Sequence, residues 1–263
     1  MSILIIKKAF EKWPALYGFA GGLALIVLAL IEKGLLNIAW ASSASFTDWY
    51  DNHEKLANGI RFVFRDFYWV LLAFVIVRFR YKRNVFEQLG LKRGPTLSGV
   101  GYAWGAMGIG VLALYFSSKL LIPQNQFIRS FYHDSAPAGF FIIFLTVVIA
   151  PISEEITMRG FLYRSFRQNL GIPLSIFFVL CMHNFFHWGV ITRSYHAFFC
   201  LVALEIMLCI VRERTGNVWN CVLCHAAYNS TQNPLIYIFA LALFGYMSWL
   251  LGSRGRQMNS PSQ

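Results

Sequence analysis

The chain has 263 residues, 57% of them hydrophobic and 13% charged, whereas soluble domains are about half apolar and about a quarter charged. No polar stretch is long enough to hold a soluble domain, so the composition marks a polytopic helical membrane protein and excludes an ordinary soluble one. The net charge of +11 calls for no nucleic acid, because basic residues of membrane proteins collect on cytoplasmic loops.

Apolar length and flanking charge predict eight transmembrane helices in an all-α bundle. They form a single integral membrane domain over 1–251, followed by a polar tail, 252–263. The first long apolar segment follows Lys7, Lys8 and Lys12 and has no small-residue cleavage site behind it. It is therefore expected to stay as the first span, 14–36, with Glu32 and Lys33 at the interface. A polar connection carrying Asp48, Asp51, Glu54 and Lys55 leads to the second span, 62–79. The most basic loop follows, with Arg78, Arg80, Lys82, Arg83, Lys92 and Arg93, and Gly94-Pro95 ends it.

The third span, 96–122, carries Gly99, Gly101, Gly105, Gly108 and Gly110, and small residues let membrane helices approach closely. The fourth begins near 138 and is expected to run on to Asn169, where Gly171-Ile172-Pro173 breaks it. The remaining spans are 173–190, 195–211, 216–231 and 234–251. An even number of spans puts both termini on one side. The termini and the connections on that side hold 16 of the 23 Lys and Arg residues, which makes it the cytoplasmic side. The short chain suits a prokaryotic plasma membrane. Cys181, Cys200, Cys209, Cys221 and Cys224 all lie in apolar runs, and an odd count in such places argues against a disulfide framework.

Three polar positions interrupt the later spans: Glu154 with Glu155, His183 with Asn184 and His187, and His225 with Asn229. Ionisable groups at membrane depth are expensive and face partners or a water-filled cavity. Glu155 and Arg159, four apart on one helix face, form an ion pair that would close the span at the interface. Glu154, about 100° round the helix, has no such partner. At 1.5 Å per residue Glu154, His183 and His225 fall within a band of about 10 Å in the inner half of the bilayer, and His187 lies about 6 Å deeper. A carboxylate withdrawn from bulk water suits general-base work, with an imidazole to hold the water. A second imidazole and a carboxamide, His225 and Asn229, suit the oxyanion formed when water attacks a peptide carbonyl.

Glu154-Glu155-Ile156-Thr157-Met158-Arg159, followed by Gly160-Phe161-Leu162-Tyr163, resembles the first motif of the CAAX-protease and bacteriocin-processing (CPBP) family of intramembrane endopeptidases, which includes the Ras-converting CAAX endopeptidases. His225-Ala226-Ala227-Tyr228-Asn229, preceded by Arg214-Thr215-Gly216-Asn217-Val218-Trp219, resembles its last motif, and the similarity covers 138–233. The family's middle motif, phenylalanine then histidine four positions on, is altered here: His183 has Val179 at that offset and Phe178 one earlier. Whether His183 or His187 is the middle histidine stays open.

The resemblance implies a glutamate-dependent peptide-bond hydrolase with a chamber open to the cytoplasm and no cofactor. Glu154 would activate water with His183, His225 and Asn229 would stabilise the oxyanion, and Glu155 and Arg159 would support them. The implied partners are membrane lipid and a membrane-associated, in some members lipidated, protein or peptide cut near its C-terminus.

Three other readings compete. His183-Asn184-Phe185-Phe186-His187 has the i, i+4 histidines of a zinc-protease helix, with asparagine in place of the glutamate base; Glu154 would complete a zinc site. Buried Glu, His and Asn on separate helices also suit a proton-coupled transporter. The third alternative is an immunity or scaffold protein without activity. Cys221-Val222-Leu223-Cys224-His225 matches a haem-attachment pattern, but inside a membrane helix its cysteines read as small packing residues.

Overall fold

The computed structural model describes residues 14–81, 84–119, 141, 143–188, 192, 195–231 and 234–259. His133, Asp134, Lys7, Lys8, Lys12 and the expected start of the fourth span near 138 lie outside them. The described residues form helices and no strands. We label the helices α1 (Ala15–Ser42), α2 (Ala44–Asn52), α3 (Glu54–Tyr81), α4 (Val85–Leu89), α5 (Leu97–Lys119), α6 (Leu145–Phe186), α7 (Tyr195–Thr215), α8 (Val218–Ser230) and α9 (Pro234–Asn259).

Punctuation along the chain follows residue chemistry. Ser43, Asn84 and Asn217 cap α2, α4 and α8, each side-chain oxygen accepting a backbone N–H from the first turn. Gly90 and Gly216 end α4 and α7 in the left-handed region, with φ of 81° and 63°. Within α6 the expected break is present: Gly171 has φ 71° and ψ 173°, a conformation open essentially to glycine.

The apolar core has two parts. Leu25, Trp69, Leu89, Met158, Leu162 and Phe166 bind α1, α3, α4 and α6 together. Val100, Met107, Leu204, Leu208, Cys221 and Phe244 do the same for α5, α7, α8 and α9. α5 and α8 lie in direct contact and run parallel: a Cβ added at Gly99 would overlap the Asn220 side chain, and one at Gly110 would overlap Thr231. α1 also lies closely on α6, but antiparallel to it, with Gly18 and Gly21 against the rings of Phe166 and Phe161.

Outward faces are apolar too: Leu23, Leu30, Phe64, Phe67, Phe177 and Phe239 are exposed. Such a surface is a liability in water and is what hydrocarbon requires. By length and composition α1, Leu97–Tyr115 of α5 and α6 are long and apolar enough to cross a membrane, and α9 contains the shorter apolar stretch Ile236–Leu251. The expected second span misses that standard because α3 carries Arg61, Arg65 and Asp66. The expected seventh span, α8, has 13 residues and a length of about 20 Å, short of the roughly 30 Å hydrocarbon core. Arg65 and Asp66 of α3, Glu205 of α7 and His225 of α8 point to where these helices meet α6, and they build the site.

Candidate active site

Glu154 and Glu155 occupy the end of a short α-helical segment, Ala150–Glu155, that lies between two π-helical stretches of α6, Leu145–Ile149 and Ile156–Tyr163. π-Turns widen the helix by one residue and recur at functional positions. Here they bracket both carboxylates, and the second one contains Arg159. Glu154 is 3% exposed, Glu155 and Arg159 are 0% exposed and His183 is 1% exposed. The Glu155–Arg159 pair, read from the sequence as an interfacial closure, is thus fully internal.

The ion pair is present, with Arg159 Nη1 3.0 Å from Glu155 Oε1, and it is one link in a larger ring. Glu155 Oε1 also lies 2.8 Å from His225 Nδ1. The other ring nitrogen of His225, Nε2, lies 3.9 Å from Glu154 Oε2. His183 Nε2 approaches the same Glu154 oxygen at 3.2 Å, and its Nδ1 lies 2.7 Å from Glu205 Oε1. Arg159 Nη2 closes the circuit, 2.6 Å from that Glu205 oxygen. Glu154, His183 and His225, far apart in the chain, therefore meet at one carboxylate oxygen.

The other oxygen, Glu154 Oε1, faces Arg65, whose Nη2 is 3.6 Å away. Arg65 is itself held by Asp66 at 2.9 Å and lies over the rings of Phe62 and Trp69, at 4.0 and 4.8 Å. Asp66, 2% exposed, accepts a 2.7 Å hydrogen bond from Ser153 Oγ, which ties α3 to the residue preceding Glu154. At 19% side-chain exposure, Arg65 extends this cluster toward the surface.

Asn229 lies one turn beyond His225 on α8. Its amide donates to the carbonyl of Thr146, in the first π-stretch, at 2.8 Å. An amide NH2 has two hydrogens, so one is left for another acceptor. His187 stands at the C-terminal cap of α6, its ring centroid 4.3 Å from that of His183 and its Nδ1 3.1 Å from the His183 carbonyl. Ligand atoms of Glu154, His183 and His187 lie within 4.8 Å of one another, and a carboxylate with two imidazoles is a donor set that fits zinc. Cys221 and Cys224 are buried in the second apolar cluster.

Sequence reasoning misses Glu205, Arg65 and Asp66. The signal was available in principle: Glu205 interrupts an otherwise apolar stretch of α7 and Asp66 one of α3, and the rule that intramembrane carboxylates have partners applies to them as it does to Glu154.

The family model described as type II CAAX prenyl endopeptidase Rce1-like matches residues 136–231, the segment that carries both the Glu154 and the His225 motifs. This segment resembles an Rce1-like domain. The chain is also 27% identical over 175 residues to the UPF0177 protein YbdI of Lactococcus lactis subsp. lactis (strain IL1403), an alignment covering 62% of this chain and 92% of the relative. No solved structure matches the chain. The match bears out the resemblance read from the motifs, and at family level it supports a peptidase integral to the membrane.

Proposed function

We propose that the chain is an intramembrane endopeptidase of the glutamic type, which hydrolyses a peptide bond near the C-terminus of a membrane-associated, prenylated or unprenylated protein or peptide. The observation that supports it best is the meeting of His183 Nε2 and His225 Nε2 at Glu154 Oε2, at 3.2 and 3.9 Å. In this reading Glu154 takes a proton from water as the water oxygen bonds to the peptide carbonyl carbon. His183 holds the water and carries the proton on toward the leaving amine. The carbonyl oxygen becomes an oxyanion, which His225 and the free Asn229 amide hydrogen stabilise. Glu155 orients His225 through Nδ1, and Arg159 balances the surrounding carboxylates.

Both termini are proposed to be cytoplasmic, in a prokaryotic plasma membrane, with the cleft open on that side. Lipid and the peptide substrate are the proposed partners, and no cofactor takes part. Purified wild-type protein in detergent or proteoliposomes is expected to release a C-terminal fragment detectable by mass spectrometry, and Glu154→Gln to release none. Turnover by Glu154→Gln at the wild-type rate would remove Glu154 from the mechanism.

The Glu154, His183 and His187 group favours a second reading, a zinc-dependent protease. Those three side chains would hold the ion, which when bound supplies Lewis-acid activation of water. Activity that survives exhaustive chelation excludes this reading, and activity lost to chelation and restored by zinc establishes it.

A further inference from the structure

Arg65 stands in the expected second span, and a cation at that depth needs a partner or a function. Its close partner is Asp66: Nε and Nη2 both donate to Asp66 Oδ1, at 3.1 and 2.9 Å, which fills one edge of the guanidinium. Asp66 is in turn fixed by Ser153 Oγ at 2.7 Å, and the Phe62 and Trp69 ring centroids lie 4.0 and 4.8 Å from the guanidinium carbon. The group is thereby held in place without the use of Nη1.

A guanidinium carries five N–H bonds in a planar fork and stays charged. The two given to Asp66 leave three, on the edge formed by Nη1 and Nη2. Nη2 also lies 3.6 Å from Glu154 Oε1, a charge contact longer than a hydrogen bond. The open edge is therefore beside the reaction centre. Arg159 offers no such edge, since it is 0% exposed with Nη1 on Glu155 and Nη2 beside Glu205, whereas Arg65 keeps 19% side-chain exposure.

Charge decides what the open edge can take. Asp66, Glu154, Glu155 and Glu205 already set four carboxylates against Arg65 and Arg159. An anion brought in whole, such as a terminal carboxylate, would add to that excess. An oxyanion made in place adds nothing: as Glu154 takes a proton from the attacking water, its charge passes to the carbonyl oxygen. Distance agrees. An acceptor bonded to Nη2 lies within about 6.5 Å of Glu154 Oε1. A water about 3 Å from Glu154, and a carbonyl carbon about 3 Å from that water, put the reacting oxygen inside this range.

We propose that Arg65 is a catalytic residue of this centre: its open Nη1/Nη2 edge donates to the oxygen of the scissile carbonyl as that oxygen becomes negative. This rests on the proteolytic reading. The water oxygen bonds to the carbonyl carbon, the π pair moves onto the carbonyl oxygen, and the water proton goes to Glu154. When the carbon–nitrogen bond breaks, that pair re-forms the double bond and the proton passes through His183 to the leaving amine. Arg65 keeps its protons throughout.

The test uses full-length protein in detergent and the peptide that the wild type is found to cleave by mass spectrometry. Arg65→Gln is expected to lower kcat about 100- to 1000-fold, the cost of one oxyanion donor, with KM nearly unchanged. Two inhibitors built on that peptide separate the states: a phosphonate, tetrahedral and anionic at the scissile position, and a ketomethylene isostere, planar and neutral. Arg65→Gln should weaken the phosphonate by the same factor of about 100 to 1000 and leave the ketomethylene nearly as in the wild type. Arg65→Lys, which keeps the charge without the fork, should fall between.

Arg65→Gln strands the buried Asp66, so the double variant Arg65→Gln/Asp66→Asn guards against loss of the fold. It is expected to keep both the kcat and the phosphonate defects. Restored kcat in the double variant would make Arg65 a mere counter-ion of Asp66 and overturn the proposal. Equal weakening of the two inhibitors would do the same. So would a defect confined to KM that C-terminal amidation of the peptide reproduces in the wild type, which would give Arg65 to the terminal carboxylate. A wild type that cleaves no peptide removes the proteolytic reading itself, whereas cleavage that Arg65→Gln leaves at the wild-type rate removes Arg65 alone.

Discussion

At Arg159 one guanidinium serves two buried carboxylates, Glu155 at 3.0 Å and Glu205 at 2.6 Å, and all three side chains are 0% exposed. Removing one member of such a group leaves uncompensated charge away from water, which costs about 3–5 kcal/mol. Arg159→Met is therefore expected to lower the detergent melting temperature by on the order of 10 °C. The Arg167–Glu213 pair offers the control. Its geometry is equally good, at 2.9 Å, but its side chains are 39% and 31% exposed, and exposed pairs contribute about 0–1 kcal/mol. Arg167→Met should melt within a few degrees of wild type, and equal losses in the two variants would mean that the Arg159 cluster is hydrated. The motif made the Glu155–Arg159 link legible from sequence, four residues apart on one helix. The Glu205 link was hidden, because 46 residues separate it from Arg159 and only the α6–α7 packing brings them together.

Among the elements, α5 shows where composition informs and where it stops. Its glycines announce close packing without saying which of them touch anything. The structure separates them: Gly99 lies against Asn220 of α8 and Gly110 against Thr231 at its C-terminal cap, whereas nothing comes within 4 Å of a Cβ added at Gly101, Gly105 or Gly108. Asn220 has little room to retreat, because its Oδ1 accepts from Thr96 N at 3.0 Å and its Nδ2 donates to Thr96 Oγ1 at 3.0 Å. Gly99→Val should thus cost about 1–3 kcal/mol in overpacking and loosen α8, which carries His225. Gly105→Ala meets open space and a helical backbone, so a gain of about 0.4–1 kcal/mol is expected. Thermal melts of the two variants check both signs; a Gly99→Val protein as stable as wild type would show that α5 and α8 separate freely. The break in α6 was legible from Gly171-Ile172-Pro173 alone, since it depends on local backbone chemistry, whereas the π-stretches around Glu154 have no such local signature.

For the molecule as a whole, sidedness can be argued from two independent directions. The proposed topology puts the connection after α3 and the turn before α8, both rich in basic residues, in the cytoplasm. The fold, without reference to charge, places them together: Asn217 Nδ2 donates to the Gly94 carbonyl at 2.8 Å, Val218 N to Gly90 O at 3.1 Å, and Trp219 Nε1 to Leu91 O at 3.2 Å. These bonds join segments more than 120 residues apart, so the two connections lie at one end of the bundle whatever the orientation in the membrane. Lys92 and Arg214 are both exposed there. Single cysteines introduced as Lys92→Cys and Arg214→Cys, in a background with the native cysteines replaced by serine or alanine, should share one labelling pattern. A membrane-impermeant maleimide is expected to miss both in intact cells and to label both after lysis. Labelling of both from outside would invert the proposed topology and leave the fold standing. Labelling of only one would contradict the packing of α8 against the α4–α5 connection, and with it the frame that brings His225 to Glu154.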